Sequence, residues 1–378
     1  MRTVGSVAFH PAGLVSTAPT WWLTNGKLIT PRGIARGAVG IRGGRLTRVG
    51  AAPSRGDERI DVRGRYVAPG FIDLHIWGDS ARVAAHEAKT GTTAFLTAVG
   101  PESPELLVNH LAQLDLTPGA RGARCLGIHL EGPFLNPLRA GALASRWLRP
   151  PTSRELRQLA REAGAALRLI TIAPEIPRGI ETIRWCARHR IAVSLGHSDA
   201  DAAATQRAIA AGARAVTHVF NGMRPLHHRD PGLLGEVLTD DRLTAMIILD
   251  GIHVDPRAFQ FLVRCKGADG VVLATDSVRH RPFRQSTYAH GAYRLKGGVL
   301  AGSALTMIRA VRNAVVSGKI PLRQAVQMAS LNPARLIHES HRLGSLEVGK
   351  RADLVVFDGA FRVWMTLVDG RVVYQRRN

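Results

Sequence analysis

Four residues of this sequence, each at the end of a short apolar run, have side chains suited to hydrolytic chemistry. They are Glu131, His197, His218 and Asp276, which follow residues 125–130, 191–196, 215–217 and 271–275. Such runs are typical of buried strands, and a polar side chain that closes one leaves the core and points at solvent or at a site. If the strands belong to one sheet, the four side chains can converge. A glutamate and two histidines are a sound set of zinc ligands, and an aspartate opposite them can move a proton.

Two further histidines lie on these runs. His75 ends the run at 71–75, and Trp77 stands two residues later, where a second histidine would share a strand face with His75 and help to grip one ion. His129 shares a face with Glu131, but Glu131 is the better ligand because it lies at the rim of the strand. A lone histidine at a strand end is either a metal ligand or a structural residue, and the run alone leaves both interpretations open for His75.

The segment after the sixth run is rich in hydrogen-bond donors. Residues 220–232 contain Asn221, Arg224, His227, His228 and Arg229. This density of arginine and histidine suits an anionic group such as phosphate, although a basic surface loop would have the same sequence pattern. His253 lies beyond the rim of the next strand and is therefore predicted to contact a substrate and not the metal.

The elements that would position these residues alternate along the middle of the chain. Apolar, β-branched runs predict eight strands, at 71–75, 93–99, 126–131, 167–173, 192–197, 215–220, 245–250 and 271–276. Helical patterns lie between them, for example at 153–163, 180–189, 201–211 and 256–264. This alternation predicts a closed parallel (β/α)8 barrel of the TIM type, with its active site at the carboxyl ends of the strands. An open doubly wound sheet is the rival fold, but no glycine-rich phosphate motif follows the first strand.

Both ends of the sequence have a different pattern, in which short predicted strands are separated by glycine turns. Strands are predicted at 22–29, 38–41, 46–49 and 60–62, and again at 354–357, 363–367 and 372–374, where Asp369-Gly370 marks a hairpin turn. We therefore predict a small β-sandwich domain from residues 21–67 with 341–378, and a barrel over residues 68–340. Residues 1–20 have only a weak apolar stretch and are predicted to be a loose extension, not a signal peptide.

The composition limits the class of protein. The chain has 378 residues, 45% of them hydrophobic, which allows a barrel of about 250 residues with a smaller domain. No apolar run reaches the roughly 18 residues of a membrane span, and three cysteines in no motif fit a reducing cytoplasm. The net charge of +22 indicates either a solvated basic surface or a field that attracts anions. Nucleic acid is disfavoured as a partner, because aromatic residues are only 5% and basic clusters are short.

Motifs that run in order through most of the chain resemble those of the amidohydrolase superfamily and, within it, the N-acetylglucosamine-6-phosphate deacetylases. The motifs are PGFID (69–73), HLEGPF (129–134), GHS (196–198), THVFNGM (217–223), HHRDPG (227–232), DGIHV (250–254), TD (275–276), LAGSALTM (300–307), NPAR (332–335) and GSL (344–346) with GKRADL (349–354). Each motif alone is a weak signal, whereas the whole set in register is a strong one.

The resemblance implies a specific activity. Members of this family hydrolyse the acetamide of an amino-sugar 6-phosphate to acetate and the free amine. The resemblance implies that Glu131, His197 and His218 are the metal ligands, and that Asp276 is the catalytic acid and base. One divalent metal per chain is therefore expected as the cofactor, zinc before iron, manganese or cobalt.

The resemblance also implies which residues surround the substrate. The residues matched to substrate contacts are Asn221, Gly222, His228, Arg229 and His253. The arginine equivalent to Arg229 usually comes from a neighbouring subunit, so we expect a homodimer whose subunits complete each other's sites.

Three departures from the family pattern concern the surroundings of the site. Trp77 stands where two-metal members carry their second histidine, which predicts a single metal. His75 is then the remnant of a second metal site or a group beside the first. A glycine-rich loop of the family is reduced to residues 78–80, which run almost directly into a helix. Leu143 stands where the family has a histidine that polarises the acetyl carbonyl, and loss of one such donor costs on the order of 10²–10³ in rate. The pocket around the substrate is therefore expected to differ from that of the family.

Two other hypotheses stay open. The short loop and Leu143 favour a related deacylase that acts on a modified or non-phosphorylated amino sugar. The second hypothesis belongs to a different class of function: a protein of low activity that binds polyanions through its positive charge. The complete set of metal ligands speaks against it. The hydantoinase and dihydroorotase type fits worse, because strand four (TIAPE, 171–175) lacks the lysine that would bridge two metals.

Overall fold

The computed structural model of the protein describes residues 20–116 and 122–377. Its strands are β1 (Trp21–Thr30), β2 (Gly33–Arg42), β3 (Arg45–Val49), β4 (Glu58–Asp61), β5 (Tyr66–Pro69), β6 (Phe71–Trp77), β7 (Thr92–Val99), β8 (Arg124–Glu131), β9 (Leu167–Ile172), β10 (Ala192–Leu195), β11 (Ala215–Val216), β12 (Thr244–Ile247), β13 (Val271–Leu273), β14 (Thr287–Ala289), β15 (Ala292–Arg294), β16 (Leu300–Ser303), β17 (Leu354–Phe357), β18 (Val363–Val368) and β19 (Arg371–Gln375). Its α-helices are α1 (Ser80–Glu87), α2 (Pro104–Gln113), α3 (Ser153–Ala163), α4 (Gly179–Arg188), α5 (Ala202–Ala211), α6 (Gly232–Thr239), α7 (Pro256–Lys266), α8 (Met307–Val316), α9 (Leu322–Ala329) and α10 (Leu331–Leu336). Short 3₁₀ helices lie at Ala88–Thr90, Pro137–Arg139, Ser145–Trp147 and Gly164–Ala166. The predicted N-terminal extension, residues 1–20, lies outside the described residues except for Thr20.

Strands β6 to β13 form one parallel sheet of eight strands, in which each strand pairs with the next along the chain. Helices α1 to α7 make the connections between consecutive strands. The sheet closes where Ile76 of β6 bridges Ser277, just beyond β13, and the amide of Trp77 donates a 2.8 Å hydrogen bond to the carbonyl of Ser277. The predicted (β/α)8 barrel is therefore confirmed.

The core of the barrel follows from the alternation of side chains along its strands. Alternate residues such as Ile72 and Leu74 of β6 fill the interior together with Leu169 and Val272. The opposite faces pack against the helices. Helix α3 illustrates the local cause: the side chain of its N-cap residue accepts a backbone hydrogen bond, and its buried residues recur at helical spacing on one face.

The two ends of the chain form the second domain. Its sheet has the strand order β19-β18-β17-β5-β1-β2-β3, with β4 beside β1, and its apolar side chains enclose a separate core. The predicted hairpin turn lies between β18 and β19, where Asp369 and Gly370 have φ values of 51° and 68°. The small β domain built from both termini is confirmed. Its boundaries at residues 67/68 and 340/341 stay a prediction, and β5 runs to Pro69, past the first of them.

Five barrel strands end earlier than the sequence predicts. β9 ends at residue 172 and not 173, and β12 ends at residue 247 and not 250; the other three end before a residue of the site. β10, β11 and β13 end before His197, His218 and Asp276, whose φ values are 45°, 32° and 47°. A residue in this left-handed region cannot continue a strand ladder, so the predicted ranges 192–197, 215–220 and 271–276 were too long. The three-stranded sheet β14-β15-β16 was not predicted either. None of the helices in the described ranges is long and apolar enough to cross a membrane.

Candidate metal centre and catalytic site

Glu131, His197 and His218 meet at the carboxyl end of the barrel strands. Oε1 of Glu131 lies 3.2 Å from Nε2 of His197 and 3.0 Å from Nε2 of His218, and the two Nε2 atoms are 3.2 Å apart. Ligand atoms bound tetrahedrally to zinc at about 2.0–2.1 Å lie roughly 3.3 Å from one another. The three buried side chains therefore form a triangle of the size that one such ion requires.

Backbone carbonyls orient both imidazoles of the triangle. Nδ1 of His197 donates to the carbonyl of Arg139 at 2.7 Å, and Nδ1 of His218 donates to the carbonyl of Asn221 at 3.2 Å. With the proton on Nδ1, the lone pair of each ring lies on Nε2 and points at the carboxylate of Glu131. This pattern is the usual second layer of a histidine metal site, because it fixes both the tautomer and the ring orientation.

The charge of the neighbouring His75 keeps Glu131 ionised. Burial acts to raise the pKa of the Glu131 carboxyl, but the charge of His75 outweighs burial and holds the pKa well below its usual range. A metal ligand must be deprotonated, so the site presents this carboxylate in the form that an ion binds.

Gly222 gives His197 the space it occupies. A Cβ atom on Gly222 would lie 3.0 Å from Nδ1 of His197, and the φ of Gly222 is +61°. Both facts favour glycine, since a side chain would press on the ring and would be strained in this conformation. Gly222, predicted from the resemblance as a pocket residue, thus also supports a ligand of the triangle.

His75 and Asp276 lie beside the triangle. Nε2 of His75 is 3.3 Å from Oε2 of Glu131 and 3.5 Å from Oδ1 of Asp276. Burial would lower the pKa of His75, but the carboxylates of Glu131 and Asp276 outweigh it and raise the pKa to about 9. The indole Nε1 of Trp77 donates to the same Oδ1 of Asp276 at 2.9 Å. The structure thus brings all four residues of the sequence prediction into one site, with His75 between the carboxylates.

His129 is not positioned as a metal ligand, which agrees with the expectation from the sequence that Glu131 is the better ligand. Nδ1 of His129 donates to the carbonyl of Leu74 at 3.0 Å, so its Nε2 accepts from the hydroxyl of Thr171 at 2.7 Å. Burial and the charge of nearby His75 hold the pKa of His129 well below its usual range, which keeps the ring neutral. The hydrogen-bonded chain continues through Thr217 to Ser194 at 2.8 and 2.6 Å. This polar chain lies inside the barrel and positions β8 against its neighbours.

Two carboxylates that the sequence analysis missed anchor the loops of the site. Asp73 accepts from the hydroxyl of Thr275 at 2.5 Å and from the amide of His75 at 3.1 Å, and burial raises its pKa to about 7. Glu175 accepts from Asn136 at 2.9 Å and from the hydroxyl of Ser198 at 2.7 Å. The signal for Glu175 was present, because it follows β9 as Glu131 closes β8.

The predicted substrate contacts fall into two groups. His253 lies near the buried carboxylate of Asp250, which accepts from His253 Nδ1 at 2.7 Å, while the buried Nε2 of His253 makes no hydrogen bond within residues 20–116 and 122–377. The Asn221 side chain turns back to the carbonyls of His218 and Val219 at 3.3 and 3.4 Å. Asn221 therefore borders the triangle and acts on the orientation of His218.

The other predicted contacts lie on the exposed loop and in an apolar cluster. Arg229 and His228 are exposed and lie 3.0 Å apart. Leu143 is buried in a cluster with Trp77 and Leu135. Trp77 and Leu143 also line a cavity of about 750 Å³. The structure therefore does not bring Arg229 and His228 into the buried centre of the same chain.

Comparisons with known proteins agree with this geometry. The model of the amidohydrolase family matches residues 66–373. An N-acetylglucosamine-6-phosphate deacetylase of Lysinibacillus sphaericus is 34% identical over 349 residues, which are 86% of this chain and 90% of the relative. The Homo sapiens protein of that name is 34% identical over 394 residues, 93% of this chain and 95% of the relative.

Solved structures extend the similarity to the fold. A mutant N-acetyl-D-glucosamine-6-phosphate deacetylase from Mycobacterium smegmatis, in complex with N-acetyl-D-glucosamine-6-phosphate, is 29% identical with a TM-score of 0.87. The match covers 94% of this chain and 100% of that chain. The resemblance seen in the sequence motifs is thereby confirmed, and the chain belongs to the amidohydrolase family.

Proposed function

We propose that this protein is a metal-dependent deacetylase that hydrolyses the N-acetyl amide of an amino-sugar phosphate similar to N-acetylglucosamine 6-phosphate. The observation that carries the proposal is the triangle of Glu131, His197 and His218 beside Asp276 at the carboxyl end of the barrel. The relatives named for this activity match nearly the whole chain, which supports the same substrate class.

One divalent ion, zinc before iron, manganese or cobalt, fits the triangle. Two imidazoles and a carboxylate are ligands that zinc prefers, and the edges of 3.0 to 3.2 Å suit a single ion. When bound, such an ion polarises a carbonyl oxygen and makes water a better nucleophile. A single ion is supported by Trp77, because this side chain turns toward Asp276 and offers no imidazole.

Asp276 is the residue that we propose to move the proton. Its Oδ1 accepts from Trp77, which leaves Oδ2 to take a proton from the attacking water and to return it to the leaving nitrogen. The side chain is only 15% exposed, so few water molecules compete for that proton. His75, 3.5 Å from Oδ1, supports the carboxylate from the other side.

The phosphate and sugar contacts are proposed for the residues around the mouth of the site. Nε2 of His253 makes no hydrogen bond to the residues that the structure describes and is available to a substrate hydroxyl or phosphate oxygen. The remaining sugar contacts are assigned to Asn221 and Gly222. Arg229 and His228 are exposed on the loop after β11, as expected of residues that reach into the site of a second subunit. A homodimer with Arg229 across the interface follows from this proposal. Size-exclusion chromatography with light scattering tests it.

The central experiment measures acetate release from N-acetylglucosamine 6-phosphate by the full-length protein with zinc. The proposal expects turnover by the wild type. It expects Asp276→Asn to lose roughly 10²–10⁴ in kcat, the range for general acid–base catalysis. The metal content of Asp276→Asn should equal that of the wild type, because Asp276 is not among the ligands. Equal rates for the two proteins would contradict the role of Asp276, and no release by either would contradict the substrate.

The cavity beside Leu143 favours a second candidate, a deacylase for a modified or non-phosphorylated amino sugar. The cavity of about 750 Å³ is lined by Trp77 and Leu143 and by the exposed arginines Arg146, Arg281 and Arg284. Apolar and basic groups together could accept an acyl group larger than acetyl. A parallel assay of phosphorylated and unphosphorylated sugars, each with acetyl and with longer acyl groups, separates the two candidates by kcat/KM.

A cytoplasmic location and the exclusion of nucleic acid as a partner are also proposals. Cys125, Cys186 and Cys265 are free thiols, which fits a reducing compartment. Steep salt-dependent binding to DNA without turnover would instead favour the polyanion-binding hypothesis.

A further inference from the structure

A second cluster of potential metal ligands lies apart from the triangle. His86 and Glu87 are the last residues of α1, and His280 lies in the segment after β13. Oε1 of Glu87 is 2.9 Å from Nδ1 of His86 and 3.7 Å from Nε2 of His280. The two rings meet edge to face with centroids 4.9 Å apart. Two nitrogen atoms and one oxygen atom, from the end of α1 and from the segment after β13, thus converge on one point.

The hydrogen bonds of this cluster leave one side open. Thr90 donates to Oε2 of Glu87 at 2.7 Å, so Oε1 is the oxygen that faces both imidazoles. Glu87 is 1% exposed, and the buried Nε2 of His280 makes no hydrogen bond in the part of the chain that the structure describes. A buried ring nitrogen without a hydrogen bond is costly, and an ion at this point would satisfy it.

The ligand atoms lie at separations that one ion can bridge, all within 4.8 Å of one another. Ligand atoms around a tetrahedral zinc lie roughly 3.3 Å apart, and the values of 2.9 and 3.7 Å lie on either side of this distance. A single protonated histidine would neutralise Glu87 and would leave the second ring without a role. The side chain of His86 is 32% exposed, which gives an ion a path from solvent and leaves space for water as a further ligand.

We propose that His86, Glu87 and His280 bind a divalent transition-metal ion, with zinc as the best match to two imidazoles and one carboxylate. This second centre is separate from the Glu131 triangle and does not rest on the proposed function. It connects α1 to the loop that follows Asp276. The absence of a side chain on Gly78 permits this connection, because a Cβ atom there would lie 2.5 Å from Cβ of His280.

The location assigns the second ion a positioning role. α1 follows Trp77 after only residues 78 and 79, while His280 follows Asp276 by a few residues. An ion at this point would tie together the two segments that carry the Trp77–Asp276 hydrogen bond. Loss of the ion should therefore loosen the proton-transfer residue without removing any ligand of the triangle.

The test counts metal per chain by mass spectrometry of the full-length protein after zinc loading and gel filtration. The wild type is expected to retain about two equivalents, and His86→Gln and His280→Gln about one. Glu131→Gln is also expected to retain about one, because only the triangle is lost. His110→Gln is the matched control: His110 contacts the carboxylate of Glu102 at 3.3 Å but belongs to no three-ligand group in the described ranges. It should keep both equivalents.

A second measurement protects the test against variants that fold poorly. In the Glu131→Gln background, zinc should raise the thermal midpoint by a few degrees, and adding His280→Gln or the milder His86→Gln should abolish this shift. The inference is overturned if both histidine variants retain the wild-type metal count, or if Glu131→Gln removes all of the metal. A wild type with the second equivalent but no deacetylase activity would instead contradict the proposed function alone.

Discussion

The indole of Trp77 donates a 2.9 Å hydrogen bond to the carboxylate of Asp276, and the backbone amide of Trp77 bonds to the next residue, Ser277. The side chain that stands where two-metal relatives were expected to carry a histidine thus fixes the residue proposed to move the proton. The orientation of Asp276 therefore depends on the indole ring of Trp77. The centroid of this ring lies 5.2 Å from that of the Phe283 ring, against which it packs.

Trp77→Phe should therefore lower kcat without emptying the metal site. Phenylalanine keeps most of the ring packing but removes the N–H donor, and loss of one hydrogen bond to a charged group costs about 1.5–3 kcal/mol, or roughly 10- to 100-fold in rate. Steady-state kinetics and metal analysis on the same preparation check this expectation. Trp147→Phe is the matched control. The ring of Trp147 lies beneath the guanidinium group of Arg146, and this variant should leave kcat unchanged.

Gly222→Ala should weaken metal binding at the triangle. The new Cβ would lie 3.0 Å from Nδ1 of His197, at a φ of +61°, and would push the ring away from Glu131. A misplaced ligand costs about 10- to 100-fold in metal affinity, which a competition titration with a chelator measures. Gly251→Ala has the same kind of backbone strain, at +79°, but meets no atom within 4 Å. An equal loss of affinity in both variants would refute the steric explanation.

Thr171→Val should destabilise the barrel, whereas Thr366→Val should not. The hydroxyl of Thr171 donates to the buried Nε2 of His129, and its loss leaves that nitrogen unsatisfied at a cost of about 1–3 kcal/mol. The buried hydroxyl of Thr366 in the small domain makes no hydrogen bond to any residue of the described segments, so valine there removes an unpaired polar group. Urea unfolding of the two variants compares the free energies of unfolding.

Arg124→Ala should destabilise the contact between the barrel and the small domain. Arg124 of β8 donates to Asp353 at 2.8 Å and to Asp369 at 2.6 Å, and the side chain of Asp353 is only 5% exposed. Removing one partner of a buried ion pair costs about 3–5 kcal/mol, because the other charge stays buried and unpaired. Thermal and urea unfolding should both report the loss. A change below about 1 kcal/mol would mean that water replaces the guanidinium.

The ion pairs of Arg124 with Asp353 and Asp369 should also make the free energy of unfolding depend on pH in the acid range. Burial acts to raise the pKa of Asp369, but the hydrogen bond of Arg351 and the charge of Arg124 outweigh it and lower the pKa. A carboxyl with a lowered pKa stabilises the fold above its ordinary pKa, near 3.8, and this contribution is lost as the pH falls through the lower value. Asp369→Asn should therefore flatten the acid limb of the stability curve, as followed by unfolding between about pH 5 and 2.

The chemistry of the site was more predictable from the sequence than its backbone. Glu131 closes β8 as predicted, because an apolar run followed by a carboxylate is a local signal. His197, His218 and Asp276 reach the same point from left-handed conformations that no local pattern of apolar residues indicates. The ladder of each strand therefore ends before its functional residue.

Contacts between distant segments account for the rest of what was missed. The bond from Trp77 to Asp276 and the approach of His280 to Glu87 join residues at opposite ends of the barrel sequence. Each residue has an ordinary sequence context, and only the closed barrel brings the partners together. Asp73 was visible as part of a motif, but its role in joining His75 to Thr275 depends on the same closure.

The closure of the barrel between its first and last strands, β6 and β13, has a consequence for folding and activity. A chain in which β6 to β12 have assembled already contains all three ligands of the triangle, whereas Asp276 arrives with β13 and meets Trp77 only when Ile76 pairs with Ser277. A partly folded molecule could therefore capture an ion before it has its proton-transfer group. Hydrolytic competence would therefore require closure of the barrel between β6 and the residues after β13.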